Sequence, residues 1–184
     1  MVTDLSMDFE VRYVYGPAME SWGAPRSKTV TWHDPMATAS AGAELSGLDF
    51  LLAVRDGIYP IAPIGALMDY RIVTASEGEV VFAGTPDESV YNPIGTVHGG
   101  YVCTVLDTVT ACAVHSTLPK GMGYTSLDLN VSYLRAVTRD SGLLTARGWV
   151  TRPGRRAAFA QGEITDAYGK VVATATSTCL VFAR

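Results

Sequence analysis

The spacing of hydrophobic residues along the chain predicts two helices. From Ala41 onward, leucines recur every three to four residues along one face, and Gly57 supplies a stop. A second segment, His98–Ser116, is apolar or small on almost every side. Because a helix without a polar face is typical of a core, we expect this segment to be a buried central helix.

Alternating hydrophobic and polar residues predict six strands: Leu67–Ala75, Glu79–Thr85, Tyr124–Leu134, Leu143–Thr151, Ala157–Thr165 and Val171–Phe182. In the third strand a strict period of two residues is predicted, in which the odd-numbered Leu127, Leu129, Val131 and Tyr133 alternate with Ser126, Asp128, Asn130 and Ser132. An antiparallel sheet that covers one long apolar helix has to curl around it, so the sequence predicts an α+β fold. One such unit leaves sheet edges open, and we therefore expect at least a dimer.

The predicted elements form a single domain, residues 41–184, after an extension, residues 1–40. The extension is irregular, is interrupted by glycines and prolines, and holds only one possible short strand, at Lys28–Trp32. We expect it to pack on the domain or on a partner subunit.

Composition narrows the class of protein. Of the 184 residues, 48% are hydrophobic and 17% are charged, which excludes a disordered chain and allows a substantial core. No apolar run approaches the roughly 20 residues that span a bilayer. The acidic start of the chain also lacks the features of a signal sequence. We therefore predict a cytoplasmic protein without a membrane partner.

The net charge of −4 conceals an uneven distribution. Residues 1–119 hold 5 Lys and Arg against 14 Asp and Glu, whereas residues 120–184 hold 9 against 4. Three of the C-terminal charges, Arg152, Arg155 and Arg156, flank a predicted hairpin turn. Clustered guanidinium groups suit phosphate, although a solvated turn would carry the same charges. Nucleic-acid binding is not predicted, because no pattern of aromatic and basic residues accompanies the turn.

The cysteines and isolated histidines indicate neither a metal site nor a disulfide framework. Cys103, Cys112 and Cys179 are unclustered and odd in number, so we expect small buried residues. For His33 and His115 we expect ordinary surface or capping positions. No set of these residues has the spacing of zinc ligands.

A polar cluster precedes the central helix and continues into its first turn. It contains Asn92, His98 and two glycines, Gly99 and Gly100. Glycines are costly in a buried helix, which indicates that backbone N–H groups there approach a bound group. Unpaired N–H donors at a helix N-terminus suit an anion or a developing oxyanion. A plain glycine-rich helix entry is an equally good interpretation.

Asp107 is the strongest candidate for a catalytic residue. It lies in the middle of the apolar helix, where an unpaired charge would be expensive, so it is either paired structurally or kept for function. Nine residues separate His98 from Asp107, which places them on opposite faces and about 13 Å apart along the helix axis. If both are catalytic, the site has to be completed by two subunits.

These residues form a pattern that resembles a known family. The string Asn92-(x)5-His98-Gly99-Gly100-(x)6-Asp107, followed by Ser126-Leu-Asp128-Leu-Asn130-Val-Ser-Tyr133, resembles the hotdog-fold acyl-CoA thioesterases of the PaaI-like, phenylacetate-pathway group. The resemblance covers about residues 45–182. It implies a hotdog fold, in which an antiparallel sheet curls around one long central helix.

The resemblance also implies roles for the catalytic residues. Asp107 would attack the thioester or activate the water that does, and Ser126 would help to orient that water. The Gly99 N–H would polarise the thioester carbonyl, with Asn92 near the nucleophile or the carbonyl. His98 would hold this loop and assist the thiolate.

Further residues would bind substrate on the same grounds. Gly100, Asp128 and Tyr133 match positions near the substrate, although Asp128 could equally pair within the sheet. In the family, a similar hairpin lies beside the coenzyme A phosphates, which gives Arg152, Gly154, Arg155 and Arg156 a candidate role. No metal and no cofactor are expected, since coenzyme A enters only as part of the substrate.

The resemblance favours a hydrolase that cleaves an acyl-CoA or aryl-acyl-CoA to free acid and coenzyme A. A non-catalytic hotdog protein that binds acyl-CoA or an acyl carrier is the alternative, and a hotdog dehydratase or hydratase is a second one. The family's assembly implies a dimer with two interface sites, commonly paired into a tetramer. Two features depart from the family pattern. Ala136 replaces a frequent proline, and the chain carries the N-terminal extension, which could cover the acyl pocket or a subunit interface.

Overall fold

Four α-helices and six strands are the main elements of the described part of the chain. The structure, a computed structural model of one chain, describes residues 22–184, so the first half of the predicted extension lies outside it. The helices are α1 (Pro35–Gly42), α2 (Gly47–Arg55), α3 (Pro63–Met68) and α4 (Gly99–Ser116). The strands are β1 (Tyr70–Ser76), β2 (Glu79–Gly84), β3 (Met122–Tyr133), β4 (Leu144–Arg152), β5 (Ala157–Thr165) and β6 (Val171–Ala183).

The strands form one antiparallel sheet in the order β1-β2-β4-β5-β6-β3, and α4 packs against it. Leu106, Val109 and Ala113 of α4 are completely buried, as are Val80 and Ile164 of the sheet. Their burial removes apolar surface from water and is the main favourable term holding helix and sheet together. The predicted α+β architecture, with a curled sheet around one long helix, is confirmed.

Strand β3 departs from the predicted alternation because it contains a β-bulge. Ser126 pairs with Cys179 and Asp128 pairs with Thr178, which leaves Leu127 without a partner between them. Leu127 is 60% exposed, and the strict two-residue period predicted for this strand is wrong at this point. An extra residue reverses the parity of a strand. Consequently the even-numbered Ser126 faces the helix before the bulge, whereas odd-numbered residues face it afterwards.

The N-terminal region is more helical than the sequence analysis predicted. Lys28–Trp32 is not a strand, and the expected single helix from Ala41 is two helices, of which α1 begins at Pro35. Asp34 caps α1 by accepting a hydrogen bond from the Met36 N–H at 2.9 Å, and Pro35 occupies the first helical turn, which proline favours.

A second cap begins α2. The Ser46 hydroxyl accepts a hydrogen bond from the Asp49 N–H at 3.1 Å, as expected of a serine N-cap. The predicted stop also holds, since α2 ends at Arg55 and Gly57 follows with a φ of +73°. Among residues 22–184, no helix combines the length and the hydrophobicity needed to cross a bilayer.

Candidate active site

The first turn of α4 presents an unpaired backbone donor. His98 is the N-cap residue, and its Nδ1 accepts a hydrogen bond from the Gly100 N–H at 2.8 Å. The N–H of Gly99 makes no hydrogen bond to any residue of the described range 22–184. A helix N-terminus carries a partial positive charge. The Gly99 N–H is therefore a free donor in a positive field, while that of Gly100 is occupied by the cap.

Tyr133, at the end of β3, fixes this helix start from the side. Its hydroxyl donates to the Gly99 carbonyl oxygen at 3.0 Å. A Cβ atom on Gly99 would lie only 3.2 Å from the Tyr133 ring, so the ring approaches the backbone closely because residue 99 is a glycine. The predicted substrate-binding residue Tyr133 thus lies next to the predicted oxyanion donor.

Asn92 shapes the loop that leads into α4. Its Oδ1 accepts from the N–H groups of Ile94 and Thr96 at 3.1 and 3.3 Å, and its Nδ2 donates to the Thr96 hydroxyl at 2.9 Å. These bonds fold the loop and bring His98 to the cap position. Asn92 does not contact Asp107 within this chain, and its predicted role toward the substrate stays a prediction.

Asp107 lies about two turns beyond Gly99 along α4, on a neighbouring face of the helix. Its Oδ1 accepts a hydrogen bond from the Ser126 hydroxyl at 2.8 Å, across the gap between α4 and β3. The carboxylate is half-buried rather than enclosed, so it does not carry the full cost of an unpaired charge in a core. Ser126 reaches Asp107 because the strand segment before the bulge at Leu127 turns its even-numbered residues toward the helix.

The predicted catalytic residues therefore fall into two groups within one chain. Asn92, His98 and Gly99 surround the start of α4, whereas Asp107 and Ser126 lie together on another face. Eight residues separate Gly99 from Asp107, which corresponds to about 12 Å along the axis. The two groups cannot act on the same carbonyl carbon of one substrate.

Asp107 and Ser126 lie on the wall of a cavity of about 530 Å³. This volume falls within the range of small-molecule sites. Most of the lining is apolar, with aromatic rings from several elements: Phe50, Tyr70, Phe82, His115 and Tyr124. Two further lining residues are joined to each other: the Tyr70 hydroxyl and the Thr108 hydroxyl are 2.9 Å apart and share a hydrogen bond. Burial raises the pKa of Tyr70, so this hydroxyl stays protonated.

His115 is buried in this cavity, and the expectation of a surface or capping position is wrong for it. Its ring is 8% exposed and lies between Phe50 and Tyr124, with centroid distances of 5.7 and 5.0 Å. Burial lowers the pKa of His115 to about 4, with a smaller contribution from Arg184. The imidazole is therefore neutral near pH 7. His33, by contrast, is exposed as expected.

The sequence contained signals that could have identified His115 and Tyr124 as residues of the cavity. His115 follows Asp107 by two turns of the same helix, which places the two on neighbouring faces of α4. Tyr124 shares the parity of Ser126 in β3, ahead of the bulge. Both signals are useful only if Asp107 and Ser126 are first taken to mark the faces of α4 and β3 that line the site.

The cysteines differ in their burial. Cys179 is fully buried, as expected, whereas Cys103 and Cys112 are only partly covered, and all three are free thiols. Although some of its surface is exposed, the Cys112 thiol itself is enclosed by protein atoms, and this desolvation raises its pKa to about 12. A thiol in this state is a poor nucleophile, because reactivity needs the thiolate.

Asp128 pairs within the sheet, which was the alternative to substrate binding. Its Oδ1 accepts a hydrogen bond from the Thr178 N–H at 3.1 Å, and its carbonyl oxygen accepts from the Ser177 hydroxyl at 2.9 Å. These bonds hold the residue that follows the bulge against β6. Asp128 thereby supports the orientation of Ser126.

The hairpin between β4 and β5 carries three exposed arginines, Arg152, Arg155 and Arg156. Among the described residues, none of these guanidinium groups pairs with a carboxylate. Gly154 and Arg155 line a shallow cleft beside Thr117, just past the C-terminal end of α4. Thr117 follows Asp107 by about 15 Å along the helix axis.

Comparison with known proteins identifies the family. The model of the thioesterase superfamily matches residues 94–173. Human acyl-coenzyme A thioesterase 13 is 32% identical over 104 residues, which are 55% of this chain and 72% of the human protein.

Two solved structures extend the comparison. A phenylacetic acid degradation-related protein from Ralstonia eutropha is 32% identical, with a TM-score of 0.65 over 71% of this chain and 98% of that chain. A hypothetical thioesterase from Streptococcus pneumoniae, solved with coenzyme A, is 29% identical, with a TM-score of 0.57 over 63% of this chain and 90% of that chain. The chain therefore belongs to the hotdog-fold thioesterase superfamily, in its PaaI-like group, and is a thioester hydrolase.

Proposed function

We propose that this protein hydrolyses an acyl-CoA or aryl-acyl-CoA to the free acid and coenzyme A. The observation that carries the proposal is the hydrogen bond between Ser126 and Asp107 on the wall of a large apolar cavity. A half-buried carboxylate beside an apolar pocket suits a thioester, which combines an apolar acyl group with an electrophilic carbonyl carbon. The relatives named as acyl-CoA thioesterases support the same substrate class.

In the proposed reaction, Asp107 either removes a proton from the attacking water or attacks the carbonyl carbon itself. The new C–O bond places negative charge on the former carbonyl oxygen, which the Gly99 N–H stabilises as an oxyanion donor. Collapse of this intermediate breaks the C–S bond and releases coenzyme A as a thiolate. Where Asp107 acts as base, the free acid forms directly, and the proton that Asp107 removed passes to the thiolate or to solvent. Where Asp107 is the attacking group, a water then hydrolyses the acyl-aspartyl anhydride, which gives the free acid and restores the carboxylate. Because a thiolate is a good leaving group, one carboxylate and one oxyanion donor suffice, and no cofactor is needed.

Asp107 of one subunit would act with the partner subunit's Gly99 on one substrate. Because about 12 Å along α4 separate the two groups within one chain, we infer that a second copy would present its helix start to the cavity. We propose a homodimer with two such sites, with pairing of dimers into a tetramer.

The arginine hairpin would bind the phosphates of coenzyme A. Its three guanidinium groups are exposed and lack carboxylate partners in residues 22–184, so they are available for a phosphate-rich ligand. The coenzyme A in the Streptococcus pneumoniae relative supports this ligand class.

The first experiment measures thiol release from a panel of acyl-CoAs with short, long and aromatic acyl groups. Wild type should turn over at least one member, and Asp107→Asn, which removes the base and keeps the shape, should lose about a hundredfold or more in kcat. Full activity of the variant would contradict the role of Asp107. Binding without turnover by wild type would instead support a non-catalytic acyl-CoA-binding protein.

A matched pair of variants isolates the proposed oxyanion donor. Gly99→Ala adds a Cβ next to Tyr133 and keeps the N–H, whereas Gly99→Pro adds the same atom and removes the N–H. His98 has ψ of 137°, which is the conformation that a residue before proline favours, and proline is accepted in the first helical turn. The proline variant should be slower than the alanine variant by about a hundredfold in kcat. Equal rates would exclude Gly99 as the donor.

A triple variant tests the hairpin: Arg152, Arg155 and Arg156 all changed to Gln. It should raise KM for acyl-CoA more than it lowers kcat, and the effect should shrink at high salt because charge attraction is screened. The control removes three exposed positive charges elsewhere, at Arg71, Arg139 and Lys170. Equal KM values for the two triple variants would contradict a role in phosphate binding and would show that the hairpin is an ordinary solvated turn.

A further inference from the structure

One wall of the cavity comes from α1, which lies outside the region that the thioesterase family model matches. Pro35, Thr38, Ala39 and Gly42 line the cavity. Their spacing along the chain, at positions i, i+3, i+4 and i+7, is that of one helix face. All four are small, whereas Met36, the longest side chain of α1, is 70% exposed.

Helix α1 meets the cavity at the end remote from Asp107. A Cβ atom on Gly42 would lie 2.6 Å from the ring of Phe50, so this end of α1 packs directly on that ring. The Phe50 ring in turn lies 5.7 Å from the His115 ring. His115 follows Asp107 by eight residues, or about 12 Å along α4. The cavity therefore runs from the carboxylate toward α1.

We propose that α1 is the wall that limits the size of the acyl group, an inference that rests on the proposed function. The thioester carbonyl would lie at Asp107 and the acyl group would extend along α4 toward Phe50 and α1. The substrate class is then an apolar acyl group, aliphatic or aromatic, with a reach of up to about 12 Å. Longer groups would collide with the inner face of α1.

The lining favours an uncharged acyl group. Asp107 and Arg184 are the only Asp, Glu, Lys or Arg residues that line the cavity in the described part of the chain. A charged acyl terminus would lose its hydration in this apolar space without a partner along most of its path, which is costly. The small side chains of α1 leave the remote end of the cavity open for apolar atoms.

The test compares two leucine substitutions on opposite faces of α1. Ala39→Leu places a larger side chain on the face that lines the cavity, whereas Ala37→Leu makes the same change at a position of α1 that does not line it. The measured quantity is the ratio of kcat/KM for decanoyl-CoA to that for butanoyl-CoA. Ala39→Leu should lower this ratio by about tenfold or more, since a few methylene groups in an apolar pocket carry discrimination of that size. Ala37→Leu should leave it unchanged.

Thr38→Leu is a second inner-face variant, and it should lower the ratio in the same direction. If wild type is active and both inner-face variants keep the wild-type ratio, the inference about α1 is overturned. The proposed function is not contradicted by that result. An equal fall in Ala37→Leu would also overturn it, because the effect would then not depend on the inner face. A wild type that cleaves no acyl-CoA would contradict the proposed function itself.

Discussion

A single hydrogen bond joins Ser126 and Asp107 on the cavity wall. Ser126 donates to Asp107 Oδ1 at 2.8 Å, so the carboxylate keeps its second oxygen for a water or a substrate. The bond also restricts the rotation of the Asp107 side chain. In this arrangement the serine positions the carboxylate and does not itself need to react.

Ser126→Ala should therefore lower kcat by about tenfold and change KM little, because a positioning hydrogen bond supplies on the order of 1 kcal/mol to the transition state. Ser132→Ala is the matched control, since Ser132 is an exposed serine of the same strand. Steady-state kinetics with one acyl-CoA separates the two parameters. An equal loss in both variants, or a change confined to KM, would contradict the positioning role.

His115 makes stability depend on pH. Its pKa is about 4 in the folded protein, because burial disfavours the charged imidazole, against an ordinary value of 6.5. The folded state thus binds fewer protons than the unfolded state between these values. Stability is fully present above about pH 6.5 and falls as the pH drops toward 4, by up to about 3 kcal/mol.

Urea unfolding at about pH 7 and about pH 4.5 measures this loss. His115→Gln cannot titrate, so its free energy of unfolding should fall less between the two pH values than that of wild type. His33→Gln, at an exposed histidine, should follow wild type. Parallel losses in all three proteins would mean that other groups cause the acid sensitivity.

At the scale of secondary-structure elements, the bulge in β3 has the largest effect on the geometry of the site. Without Leu127, the strand would pair regularly and Ser126 would lose the parity that turns it toward α4. The bulge is supported by Asp128, which bonds β6 through its side chain and its carbonyl oxygen. One extra residue thus determines whether the serine reaches the carboxylate.

Deletion of Leu127 should lower kcat at least as far as Ser126→Ala does, by about tenfold or more. Leu127→Thr keeps the strand length at this exposed position and should retain wild-type kinetics. Circular dichroism and thermal unfolding establish that the shortened chain is folded. A folded deletion variant with wild-type kcat would show that the bulge does not orient Ser126.

Strong, continuous patterns made most elements predictable from the sequence, and local exceptions account for the rest. The apolar run of α4 and the alternation in β4 and β5 yielded nearly correct bounds. The bulge at Leu127 was missed because a leucine fits the alternation equally well on either face. Helix α1 was missed because its residues are small, although Asp34-Pro35 is a recognisable cap and first turn. His115 was misjudged because its burial depends on Phe50 and Tyr124, which are distant in sequence.

At the scale of the whole molecule, α4 carries two functional groups on different faces. Its start presents a free N–H at Gly99, and its middle presents Asp107 to the cavity. A rigid helix keeps these groups about 12 Å apart, whatever the loops do. Catalysis by both groups on one substrate consequently requires a second copy of the chain, and this requirement can be tested directly.

Mixed dimers distinguish shared sites from sites within one chain. A dimer of Gly99→Pro with Asp107→Asn keeps one intact pair across the interface, so it should show about half of the wild-type activity if sites are shared. A dimer of wild type with a chain that carries both changes has no intact pair across the interface and should be inactive. Sites within one chain predict the opposite result for each dimer. Two affinity tags allow both mixed dimers to be purified, and the pair of activities decides between the arrangements.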